Sequence, residues 1–290
     1  MGSAYFLALQ SKDLDPEMLP FLQDRWLLIA LNYLTTKGHV STEQLRKLDG
    51  LLDAGMKVYL DSGCFSLAAE HSKELGCSPP EVFMSSPRDL PFFESWYQVY
   101  ITVIPRIIDR LWGVVEIDFG NAAERAETRQ RIFDDTGVHA IPAFRFGKEP
   151  VSVFERLVAT HDRVCLAGLA KASPVVRNTA LAYLREIQYR VNKDCWVHCL
   201  GVSGCGPFSS SGFASGDSSS YANAARYGAT NGYTHQGYTS VAEWTKRPPK
   251  AKDLDDGTGT QTCRKLGMFQ HTVMNVGRTA YLHELHDTIR

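Results

Sequence analysis

Short apolar runs alternate along the chain with longer amphipathic segments. The runs occupy residues 5–9, 26–32, 57–61, 114–118, 139–144, 164–169, 196–202 and 212–215. Most show no regular alternation of apolar with polar positions, the pattern of strands covered on both faces in a parallel sheet. The intervening segments 41–54, 92–108, 122–136, 151–161 and 175–191 carry apolar residues at helical spacing and predict helices with one apolar face. Ser41, with Glu43 and Gln44 behind it, offers a start for the first of these, and Gly55 offers its stop. Strands joined mostly by helical crossovers predict an α/β chain. Eight of them point to an irregular (β/α)8 TIM barrel with loop insertions. An open dinucleotide-binding sheet fits less well, because no Gly-x-Gly-x-x-Gly follows the first strand. The irregularity lies at residues 204–211, too short a connection for a full helix.

Three segments interrupt the alternation. Residues 77–91 are rich in Pro and Ser and read as a loop at the rim. Residues 228–262 hold Gly, Thr and Tyr with the basic run Lys246 to Lys252, and read as an exposed excursion; residues 273–289 read as a final helix. No internal repeat or long linker divides the chain, so residues 1–290 are expected to form one barrel domain.

Composition narrows the classes. The 290 residues are 44% hydrophobic and 22% charged, enough to bury a large core. A formal net charge of -1 provides no overall field toward nucleic acid or anionic lipid, so any nucleic-acid contact must come from a local basic patch. Seven scattered cysteines and no leader-like N-terminus suit reduced thiols in the cytoplasm. The longest apolar stretch, 26–34, is far shorter than the ~20 residues that span a membrane.

The candidate chemistry gathers at strand ends, where parallel barrels place their reactive groups. Asp61-Ser-Gly-Cys-Phe-Ser66, Glu116-Ile-Asp-Phe-Gly120, Ala167-Gly-Leu-Ala170, His198-Cys-Leu-Gly-Val-Ser-Gly204 and Ser215-Gly-Asp-Ser-Ser-Ser220 all follow or close an apolar run. Asp61, Asp118 and Asp217 suit glycosidic chemistry: one carboxylate attacks an anomeric carbon while another moves a proton to or from the departing group. Gly168, Gly201 and Gly204 let a flat ligand approach the backbone. Each feature also has a plainer reading. Asp61 suits a loop cap, Asp118 and Asp217 suit helix N-caps, His198 suits a satisfied core histidine, and the 246–252 run suits a solvated loop. Cys195, His198 and Cys199 form the one close cluster of metal-ligand types, but strand alternation turns His198 away from the two thiols.

Taken in order, these motifs resemble the tRNA-guanine transglycosylase superfamily. Tyr59-Leu-Asp-Ser-Gly-Cys-Phe-Ser66 is similar to that family's Asp-Ser-Gly-Gly-Phe-Gln motif. Glu116-Ile-Asp118 is similar to the strand end that reads the amidine edge of the base. Cys165-Leu-Ala-Gly-Leu-Ala170 resembles the Ile-Gly-Gly-Leu-Ala strand, and His198-Cys-Leu-Gly-Val202 the Leu-Met-Gly-Val-Gly strand at the ribose pocket. Ser215-Gly-Asp217 falls where the nucleophilic aspartate lies, and the match covers about residues 57–228. Two departures stand out. After Asp217 only Cys263 and His271 remain of the family's Cys-x-Cys-x-x-Cys…His zinc site, and Ala143-Phe-Arg-Phe146 replaces its Gln-Gly-Gly. Both make the chain more similar to the phage and bacterial relatives that act on DNA.

The resemblance implies a pentosyltransferase that replaces guanine in DNA with a 7-deazaguanine, such as 7-cyano-7-deazaguanine. Its catalytic pair would be Asp61 and Asp217, working through a covalent aspartyl-glycosyl intermediate. Ser62, Asp118, Gly168, Leu169, His198 and Gly201 would bind the substrate, and Arg226, Lys246, Arg247, Lys250 and Lys252 the phosphates of the nucleic acid. No metal or other cofactor is expected, the location is bacterial or phage-infected cytoplasm, and no oligomeric state follows. The same exchange on tRNA, base hydrolysis, and a non-catalytic binding barrel are the alternatives.

Overall fold

A computed structural model describes residues 4–9, 26–36, 38–202, 213–218, 231–234 and 237–240, with backbone alone at 4–7, 9, 218, 231–234 and 237–240. It is an α/β structure around one eight-stranded sheet. The strands are β1 Ala4–Leu9, β2 Trp26–Ala30, β3 Lys57–Asp61, β4 Gly113–Val114, β5 Ala143–Arg145, β6 Arg163–Ala167, β7 Trp196–Cys199 and β8 Ser215–Ser218. They lie in the order β4-β3-β2-β1-β8-β7-β6-β5, and every neighbouring pair is parallel. The outermost strands also meet. Val115, just past β4, forms a parallel bridge with Ile141, just before β5. There Glu116 N–H donates to Ile141 O at 3.0 Å and Ile141 N–H to Val114 O at 2.8 Å.

Seven α-helices occur among the described residues: α1 Thr42–Asp53, α2 Cys64–His71, α3 Pro79–Met84, α4 Phe93–Ile107, α5 Ala122–Thr136, α6 Val151–Thr160 and α7 Pro174–Asn192. Their ends follow capping chemistry. Ser41 Oγ accepts from Gln44 N–H at 3.3 Å ahead of α1. Asn121 and Glu124 form a reciprocal capping box ahead of α5, and left-handed Gly137 ends that helix. Ser173 caps α7, with Pro174 at its first position. No helix among the described residues is long and apolar enough to cross a membrane.

Both faces of the sheet are apolar, which is why the runs lack polar alternation. Leu27, Ile29, Val58, Leu60 and Val114 pack with α1, α2 and α4. Phe144, Val164, Leu166, Val197 and Cys199 pack with Phe154, Leu157, Leu181, Leu184 and Ile187 of α6 and α7. A separate cluster on the other face joins Leu28, Tyr59, Val115, Ile141, Ala143 and Cys165. At the amino-terminal ends of the strands three indoles meet. Trp26 lies 5.6 Å from Trp112 and 6.1 Å from Trp196, with 4.9 Å between Trp112 and Trp196. Lys57 and Arg163 cover the outer rings of this cluster as cation–π partners.

Three expectations need correction or bounds. Residues 77–91, read as a loop, contain α3 and a 3-10 turn, Pro87–Asp89. The signal was present: Ser78 N–H donates to Glu81 Oε2 at 2.7 Å, and Pro79 fills the first helical position. The last strand lies at Ser215–Ser218 instead of 212–215, so Asp217 sits inside the strand and caps no helix. Within 228–262, Asn231–Thr234 and Gly237–Ser240 pair as an antiparallel hairpin. The rest of that segment and residues 273–289 lie outside the described residues.

Candidate active site

Asp61 is the last residue of β3. Behind it the chain turns sharply: Gly63 has φ 76°, and its N–H donates to Asp61 Oδ2 at 3.0 Å. A side chain at Gly63 would meet Asn32 at 3.1 Å and the Trp96 ring at 3.3 Å, so this turn requires glycine twice over. Trp96 Nε1–H donates to Ser62 O at 3.0 Å, and Ser62 Oγ–H donates to Cys64 Sγ at 3.3 Å. The Ser62 hydroxyl, expected at the base edge, is thus engaged within its own turn.

Asp118 lies two residues beyond Glu116, in the chain that leaves β4, and is 6% exposed. It does not cap α5, because Asn121 fills that role. Burial raises its pKa most, and Glu116 adds to this; Arg145, Arg125 and a hydrogen bond from Cys64 act against it. Asp61 responds to both other aspartates. Burial is the largest cause of its raised pKa, Asp118 and Asp217 push it further, the Gly63 and Ser62 amides oppose it, and the value settles at about 7. The three carboxyl groups therefore share one electrostatic environment, although they arise from well-separated stretches of chain.

Asp217 is 6% exposed and is held through one oxygen. Oδ1 accepts from Gly201 N–H at 2.8 Å and lies 3.2 Å from His198 Nε2. Gly201 has φ 66°, and a side chain there would meet Ala170 Cβ at 2.9 Å. Gly201 and His198, both expected to face substrate, instead grip this carboxylate. Gly168 has φ 91°, and an added Cβ would meet Phe146 O at 2.6 Å. Its backbone is exposed, whereas Leu169, expected to bind substrate, is buried whole in the core beside α7 and presents no surface to a ligand.

Several polar residues of this region carried no assignment from sequence. Arg145 closes β5 and is 4% exposed. Its Nη1 donates to Phe83 O at 3.3 Å, and the guanidinium lies over the Phe83 ring at 4.7 Å. Its Nε and Nη2 are buried without a hydrogen-bond partner among the described residues. The signal was spacing, since Arg145 lies two residues beyond Ala143 and shares its face. Beneath Asp118, Glu116 accepts from Arg125 Nε at 2.8 Å, from Ala143 N–H at 2.9 Å and from Arg129. Arg125 Nη2 reaches Glu149 at 2.6 Å. This buried ion network ties α5 to the chain on either side of the Val115–Ile141 bridge. Tyr59 Oη lies 3.1 Å from Cys165 Sγ.

The four buried thiols among the described residues offer little nucleophilic chemistry. Burial raises the pKa of Cys64, Cys165 and Cys199, and that of Cys195 to about 12. Cys195 and Cys199 belong to the core beside α7, while His198 faces Tyr59 across 5.0 Å. Among the described residues no group of three or more metal-ligand side chains is placed to hold an ion. Arg226, Lys246, Arg247, Lys250 and Lys252 lie outside the described residues. Compared with models of known protein families and with curated proteins, the chain matched none.

Proposed function

We propose that the chain is a base-exchange transglycosylase on an irregular (β/α)8 TIM barrel, replacing guanine in DNA with a 7-deazaguanine such as 7-cyano-7-deazaguanine. The observation that carries this reading is the electrostatic coupling of Asp61, at the end of β3, to Asp118 beyond β4 and Asp217 within β8, with the pKa of Asp61 raised to about 7. The barrel part is supported by the Val115–Ile141 bridge, which links the two ends of the eight-strand order.

In this reading Asp217 attacks C1′ of the target nucleotide as the bond from C1′ to the base breaks. Protonated Asp61 delivers its proton to the departing guanine. Asp61 then takes a proton from the incoming base, whose nitrogen displaces Asp217 from C1′. Protons balance over the two steps, and a group poised near neutral pH serves both directions. Asp118 accepts from N–H groups of the base edge, with the exposed Gly168 backbone as a further contact. The target base has to leave its stack, at a cost of a few kcal/mol. Arg226, Lys246, Arg247, Lys250 and Lys252 are proposed to offset that cost at phosphates.

The test offers isotopically labelled 7-deazaguanine with duplex DNA, single-stranded DNA and tRNA to the full chain and to Asp217→Asn. Label entering DNA, and lost in the variant, is the expected result. Label entering tRNA alone moves the activity to the other nucleic acid. Free guanine without incorporation makes the enzyme a hydrolase, and unchanged incorporation by Asp217→Asn removes the nucleophile.

A further inference from the structure

We infer that Trp196, Ser215 and His198 form a positioning chain that holds Asp217 by one oxygen and leaves the other free to attack. The inference rests on the base-exchange reading, and its physical basis is strand register. His198 on β7 is paired with Ser215 on β8. Ser215 and Asp217 lie two residues apart on one strand and so share a face, about 6–7 Å apart along it. An imidazole opposite Ser215 bridges that gap: Nδ1 lies 2.9 Å from Ser215 Oγ and Nε2 lies 3.2 Å from Asp217 Oδ1.

The protons in this chain can be placed. Trp196 Nε1–H, which can only donate, gives a 2.7 Å hydrogen bond to Ser215 Oγ. Ser215 accepts there, and because the attacking carboxylate at Nε2 can only accept, the Ser215 hydrogen goes to His198 Nδ1. With Nδ1 an acceptor, a neutral ring carries its hydrogen on Nε2 and donates to the carboxylate. His198 and Ser215 are 1% and 0% exposed, so water does not compete for these bonds. Gly201 N–H supplies the second donor to the same oxygen at 2.8 Å.

The consequence is an assignment of the two carboxylate oxygens. Oδ1 takes both donors, and Oδ2 has no hydrogen bond among the described residues. The new bond therefore forms between Oδ2 and C1′ as the bond from C1′ to the base breaks. In the resulting ester Oδ1 is the carbonyl oxygen and keeps the His198 and Gly201 donors. These polarise the ester and favour Asp217 as the leaving group when the second base displaces it. His198 touches no reacting atom; it acts through Asp217.

Two measurements on the full chain test this. With histidine-selective 15N labelling, the His198 imidazole should show an unprotonated Nδ1 and a protonated Nε2, its signals assigned by their loss in His198→Gln or by their shift in Ser215→Ala. A hydrogen on Nδ1 with bare Nε2 overturns the chain whatever reaction the protein performs. In base exchange, His198→Phe removes the donor and should lower kcat by about tenfold to a hundredfold with little change in KM. His198→Gln restores an N–H near the Nε2 position and should recover part of that loss. Equal losses in Phe and Gln variants reduce His198 to a packing role and overturn the inference. Should His198→Phe not fold, Ser215→Ala replaces it and should lower kcat with a mixture of ring tautomers. No base exchange by the unmodified chain overturns the transglycosylase reading, and is told apart from the outcomes above because those require exchange or concern the ring proton alone.

Discussion

Arg145 lies beside Asp118, and each charge acts on the other, yet no direct ion pair joins them. Among the described residues, two nitrogens of the guanidinium remain without acceptors in a buried site. Leaving such a group unpaired costs stability, and in the base-exchange reading an oxygen of the base supplies the acceptor. In the base-exchange reading, a base with N–H groups toward Asp118 would turn an oxygen toward Arg145.

Replacing Arg145 with Met should separate binding from stability. Loss of a charge-assisted hydrogen bond predicts base affinity weaker by about tenfold to a hundredfold. The melting temperature should hold or rise, because a buried, partly unpaired charge is removed. Calorimetric titration with the base and a thermal melt would check both; a fall in melting temperature with unchanged affinity would make Arg145 a structural residue.

Asp61 should give stability a distinctive pH dependence. Its pKa rises from 3.8 in the unfolded chain to about 7 in the folded one, so folding favours the protonated form. That contribution is complete below pH ~4 and disappears as pH climbs toward 7 and beyond. Asp61→Asn cannot ionise and should be more stable than the parent above pH 7, with the difference vanishing at acid pH. Urea midpoints from pH 4 to 9 would show it. Base exchange in the parent should be fastest near neutrality, where both forms of Asp61 are populated.

Glu116→Gln should be among the most destabilising single changes. It leaves Arg125, itself 1% exposed, with a weakened partner inside the protein. Breaking a buried pair by altering one member typically costs about 3–5 kcal/mol. Since the same carboxylate anchors Ala143 N–H, loosening should spread to Asp118 and Arg145 on either side. Denaturant titration measures the first effect, and hydrogen exchange at residues 114–118 and 141–145 the second.

Gly168→Ala should be harmful despite its exposed position. The positive φ disfavours any side chain, and the added Cβ would press on Phe146 O at 2.6 Å. A cost of about 1–3 kcal/mol is expected. Gly147→Ala, with positive φ but open space around it, should cost less, and comparing the two by thermal unfolding separates crowding from backbone strain.

The alternation of continuous apolar runs with amphipathic segments announced the strands of the eight-stranded sheet, the last of them displaced, and five of the seven described helices, because burial on both faces leaves a direct compositional trace. α2 and α3 were missed, since each is shorter than the window in which helical period becomes visible. Asp61, Asp118 and Asp217 were legible because a carboxylate following or closing an apolar strand is conspicuous. Their helpers were not. Ser215 and Arg145 look ordinary in sequence, and only register across neighbouring strands brings Ser215 to His198 and Trp196. The Glu116–Arg125–Glu149 network joins residues from the chain just past β4, from α5 and from the β5–α6 turn, a pairing that no local pattern encodes.

The three indoles at the amino-terminal ends of the strands bear on kinetics as much as on packing. Trp26, Trp112 and Trp196 crowd the amino-terminal ends of β2, β4 and β7, so in the barrel reading the bases come and go on the side of the aspartates. In the base-exchange reading the covalent step makes the first base leave before its replacement attacks. Initial-rate lines taken at several concentrations of the second substrate should then run parallel, the pattern of a double-displacement enzyme.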